Sequence, residues 1–73
     1  MFVGYHVDDF NDGVPVAVGA DRDAVQDQTI QRVLALGIGM GEIATREVDL
    51  TESEAADLAA ALDAWFTSKG ITH

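Results

Sequence analysis

Thr51 and Glu54 stand three residues apart at the head of a long apolar-periodic run, and this spacing constrains the chain more than any other feature. A threonine at the N-cap accepts from the amide three residues on, while the glutamate carboxylate reaches back to the threonine amide. Glu52, Glu54 and Asp57 add negative charge to the first turns, where the helix dipole favours it. From residue 52 to residue 69 the chain holds only good or neutral helix formers. Ala55, Leu58, Leu62, Trp65 and Phe66 recur at three- and four-residue steps and form one apolar stripe. Ser53, Asp57, Asp63 and Thr67 fall mostly off it. Gly70 suits the left-handed position after a last turn, and Ile71 is placed to meet Phe66.

Ahead of this helix, Arg46-Glu47-Val48-Asp49-Leu50 alternates charged and apolar residues, the pattern of a half-buried strand. Val48 and Leu50 are expected on the core side, with Ala44. The phrase from Val48 to Leu62 resembles the tail of many small proteins of actinobacteria and their phages. Those proteins also end in a strand, an L-T-x-x-E-A cap and an alanine-leucine helix. The resemblance implies a structural pattern and brings no catalytic residue with it.

The chain of 73 residues is expected to be a single domain, residues 1–73. It has no cysteine, which excludes disulfides and thiolate metal sites. So short a chain without a covalent staple favours a partner surface, and homodimerisation is the simplest one. Neither a signal-peptide pattern nor a membrane-length apolar run is seen, so the expected location is cytoplasmic, with no membrane partner. Thirteen acids oppose four bases, a formal charge of −9. Direct binding to a phosphate backbone needs a basic surface, so nucleic acid is not an expected ligand.

Phe2 to Val7 reads as a strand with Val3, Tyr5 and Val7 on one face and Phe2, Gly4 and His6 on the other. Asp8-Asp9-Phe10-Asn11-Asp12-Gly13 is turn chemistry. Val14, Val16 and Val18 alternate into a second strand, closing a hairpin. Pro15 belongs on an edge or at the strand start, because it cannot donate to a ladder. Residues 19 to 28 are polar and read as a loop, with a helical turn beginning near Asp21. Residues 29 to 40 fit two periods. As a strand they set Ile30, Arg32, Leu34, Leu36, Ile38 and Met40 against Val33, Ala35, Gly37 and Gly39. As a helix from Asp21, Val25, Ile30, Val33 and Leu36 make an apolar arc ending at Gly37. The large/small alternation favours the strand. The expected fold is therefore α+β: a four-stranded, mostly antiparallel meander with one C-terminal helix packed on one face. The alternative is ββαβα.

No catalytic, metal or cofactor site emerges. Gly37, Gly39 and Gly41 give G-x-G-x-G, which misses the dinucleotide spacing and lacks a following βαβ unit. Asp8, Asp12 and Gly13 fit part of a calcium loop, but Phe10 and Gly19 occupy ligand positions. His6 has no nucleophile or second base at a recognisable spacing, and the expectation is a protein that is not an enzyme.

The acidic series Asp8, Asp9, Asp12, Asp21, Asp23 and Asp27 is the candidate binding surface, opposed within it only by Arg22. A charge run of this kind usually solubilises. Its functional reading is protein–protein interaction with a partner that has a basic surface. A phage-type or regulatory inhibitor, occupying a nucleic-acid-binding site as a DNA mimic does, is the sharpest form of that reading. The alternative is a homodimeric structural or accessory domain with no inhibitory role.

Overall fold

The computed structural model describes residues 1–8, 11–37 and 41–72, with the backbone alone at residues 8, 11 and 12. Five elements follow in chain order: β1 (Phe2–Asp8), β2 (Asn11–Gly19), α1 (Arg22–Leu36), β3 (Glu42–Glu47) and α2 (Glu52–Ser68). The three strands form one antiparallel sheet in the order β2-β1-β3. This is the ββαβα arrangement. The four-stranded meander with a single helix is corrected: the chain from Arg22 to Leu36 is a helix, and Ile38 to Met40 lie outside the described residues.

Local chemistry decides α1. The Asp21 carboxylate accepts from the amides of Asp23 at 3.0 Å and Ala24 at 3.3 Å, satisfying two of the free donors at the helix start. Gly37 stops the helix with φ 69°, and its amide donates to the Leu34 carbonyl. A strand over the same residues would have put Arg32 in a row of large apolar side chains. The helix instead buries Val25, Thr29, Arg32 and Val33 along one side and leaves Leu34 exposed.

Helix α1 crosses the sheet and touches all three strands. Its seat is made of small residues. Gly4 pairs with Ala17 on one side and Thr45 on the other. A Cβ on Gly4 would lie 1.8 Å from Thr29 Oγ1, so only glycine admits the helix at this depth. Thr29 turns its own hydroxyl back to the Val25 carbonyl at 2.7 Å, so that hydroxyl is satisfied at the contact. The expected alternation of β2 is corrected: a register shift pairs Val18 with Val3 and Val14 with His6, so Val14 and Val18 lie on opposite faces and the adjacent Val16 and Ala17 are both buried. Pro15 lies opposite Tyr5 on the edge strand β2, where the register with β1 shifts. The ladder to β3 continues one residue past its end, since Val48 N donates to Met1 O at 2.8 Å.

Helix α2 begins with the expected capping box: Glu54 N donates to Thr51 Oγ1 and Thr51 N to Glu54 Oε1, both at 3.1 Å. It ends in a Schellman motif, with Ile71 N donating to Phe66 O and Gly70 N to Thr67 O, each at 2.9 Å. Its packing differs from the expected one. α2 meets β2 rather than the open sheet face, which α1 covers. Val16, Val33, Phe66 and Ile71 form the core cluster, with Leu36 and Ile43 against it.

Candidate functional site

Only the two ends of α2 are fully seated. Ala55 in the first turns and Phe66 near the last are buried, while Leu58 and Leu62 between them are half-buried. Arg32 fixes the Phe66 end. Its guanidinium is 3% exposed and donates to Val16 O at 2.7 Å and to Asp63 Oδ1 at 2.5 Å. It also lies 4.5 Å from the centroid of the Phe66 ring. One buried cation thus ties α1, β2 and α2 together. Asp63, expected to be an idle outward residue, is its carboxylate partner.

Between these anchors the middle of α2 stands off from the body and leaves a groove of about 520 Å³. Leu58, Ala61, Leu62 and Trp65 form one wall, with Val14 to Val16 of β2 and Leu36 of α1 opposite. Trp65 is 48% exposed and Val14 49%, and both border the opening. Lys69 Nζ sits 5.5 Å from the Trp65 ring centroid, and Phe66 meets that ring edge-on at 4.9 Å. The surface is apolar and aromatic, with a cation at one end. It suits recognition of another apolar surface better than any bond-making chemistry.

His6 also lines the groove and is buried. Its Nε2 has no hydrogen-bond partner among the described residues and lies against the backbone at Gly41. A Cβ on Gly41 would stand 2.8 Å from both His6 Nε2 and the Val7 carbonyl, and φ there is +49°. The end glycines of the G-x-G-x-G run therefore act in packing: Gly37 stops α1 and Gly41 makes room for His6. Gly39 lies outside the described residues. Among the described residues, no group of three or more His, Asp or Glu side chains is placed to hold a metal ion.

The acidic series divides. Asp8 ends β1 and Asp12 opens β2, at the turn of the hairpin; Asp9 lies outside the described residues. Asp21, Asp23 and Asp27 follow the far end of β2, roughly 23 Å along the strand from Asp12. The series is thus two groups at opposite ends of one strand. Asp21 is committed to the α1 cap. Asp27 is exposed and accepts from Gln31 Nε2 at 2.8 Å, and Asp23 is exposed. Asp21 and Asp27 share a shallow cleft with Val18 to Ala20 and Gln28. That cleft sits at the start of α1, while the groove beside Trp65 sits at its end, roughly 20 Å away along the helix.

Sequence reasoning read the α2 stripe as core and missed that half of it would stay open. The signal was its breadth: five apolar residues, two of them aromatic, exceed what one edge strand can cover. Comparison with known protein families, curated proteins and solved structures gives no match. No helix of the described residues is long and apolar enough to cross a membrane.

Proposed function

We propose that the protein acts by binding other proteins, with the groove beside Trp65 as its contact surface. The observation that carries this reading is a half-exposed tryptophan bordering an open apolar groove. Tryptophans set beside concave apolar surface are frequent anchors of protein interfaces, because covering them removes a large apolar area from water. The charge of −9 supports a partner with a basic surface. Asp23 and Asp27, exposed near the start of α1, would steer its approach and leave the groove free for contact. An inhibitor that occupies the basic, nucleic-acid-binding surface of another protein is the most specific form of this function.

The test is retention of proteins from a host lysate on the immobilised chain, compared with Trp65→Ser and with Asp23→Asn/Asp27→Asn. A true partner is lost with the tryptophan variant. It binds more weakly to the double aspartate variant at low salt, and the two chains converge as salt screens the charges. Identical retention by all three chains would refute the reading.

A further inference from the structure

We propose that the groove beside Trp65 takes a second copy of this chain, in a two-fold dimer built on antiparallel α2 helices. This rests on the reading of the groove as a protein-contact surface, and a second copy fills it when no basic partner is bound. The argument is the order of residues along the exposed side of α2. Glu54, Leu58, Ala61, Trp65 and Lys69 follow at steps of three and four and therefore share one stripe. The contact of Lys69 with the Trp65 ring places those two side chains together. The stripe is acidic at its start, apolar through its middle and basic at its end.

Such a stripe is complementary to itself when reversed. A two-fold axis between Ala61 and Leu62 sets Leu58 against the partner's Trp65, Ala61 against the partner's Leu62, and Glu54 against the partner's Lys69. Each contact occurs twice, as an isologous interface requires. Each Trp65 then enters the opposite groove near Leu58 and covers its own exposed face. The antiparallel helix dipoles favour the same arrangement. Lys69 is the chain's only lysine. It forms no ion pair with a described carboxylate, so its charge is available to the partner's Glu54. The acidic residues at the start of α1 lie away from this interface.

Sedimentation across a concentration series tests the dimer. The wild-type chain should reach twice the monomer mass of 7.8 kDa at micromolar concentration. Salt screens both the net repulsion between two acidic chains and the two Glu54–Lys69 pairs, so this dimer should respond to salt less than binding to a basic partner does. Trp65→Ser should give monomer. Lys69→Glu should weaken the dimer about tenfold or more, since it sets like charges together at both ends. Adding Glu54→Lys to Lys69→Glu should recover part of the dimer, because the pairs reform with their signs exchanged while the Glu54 bond to Thr51 N in the capping box is lost. Circular dichroism of each variant checks that α2 remains folded. A 7.8 kDa species at every concentration would overturn the proposal. So would a dimer indifferent to Trp65→Ser, or one indifferent to Lys69→Glu. A monomer that still captures a lysate protein through Trp65 would overturn the second copy as occupant and leave the groove's contact role standing.

Discussion

Asp63→Ala removes the carboxylate from Arg32 and leaves the rest of the guanidinium's contacts in place. Removing one partner of a fully buried pair costs about 3–5 kcal/mol. Exposed pairs contribute about 0–1 kcal/mol. Here the cation is 3% exposed and the carboxylate 62%, so water still screens one side of the pair. Arg32 also keeps its bond to Val16 O and its place on the Phe66 ring. The expected loss is therefore about 1–2 kcal/mol. At roughly 4–8 °C per kcal/mol for a domain of this size, melting should fall by about 5–15 °C. Arg32→Met should cost about 1–3 kcal/mol, because the buried Val16 carbonyl loses its donor. Once Arg32 is gone, Asp63→Ala should add almost nothing. The assay is urea or thermal unfolding followed by circular dichroism, run as a double-mutant cycle. An Asp63→Ala chain within about 0.5 kcal/mol of wild type would refute the tether, because only surface substitutions without such a role behave that way.

Gly4→Ala should destabilise by about 1–3 kcal/mol, since Thr29 must move to admit the new methyl; wild-type stability in urea would contradict the close seat of α1. Thr51→Ala should cost about 1 kcal/mol through the lost cap, read as a shift in denaturation midpoint. Phe66→Ala should cost about 3–5 kcal/mol and Leu62→Ala only about 1, because Phe66 is buried in the core and Leu62 lines an open groove. Equal losses at the two positions would mean that the groove is closed in solution.

The hairpin and α2 were legible because each carries its instructions locally. Alternation marks the two strands, though not the register shift that turns Val14 and Val18 to opposite faces of β2, and Thr51, Glu54 and Gly70 mark the helix ends. The stretch from Ile30 to Met40 was not, because its side chains satisfy periods of two and 3.6 at once. Two end signals decide it: Asp21 as cap, before the ambiguous stretch, and Gly37 as stop, within it. The third determinant is Arg32, which looks misplaced in either period until Asp63 of α2 is brought beside it. A pair 31 positions apart leaves no mark on a local window. The candidate surface divides in the same way. The charge of the aspartates was plain, but the length of β2 sets Asp12 apart from Asp21. The apolar stripe of α2 was plain as well. That the sheet would cover only its ends follows from α1 taking the sheet face first.

Trp65 is the chain's only tryptophan, so its fluorescence reports on the groove alone. The direct test is its emission maximum and acrylamide quenching, measured first at nanomolar concentration and then in any complex the chain forms, with itself or with a captured protein. If the groove is the contact surface, emission moves to shorter wavelength and quenching falls when the complex forms. Unchanged emission and quenching in a complex seen by sedimentation would contradict the account.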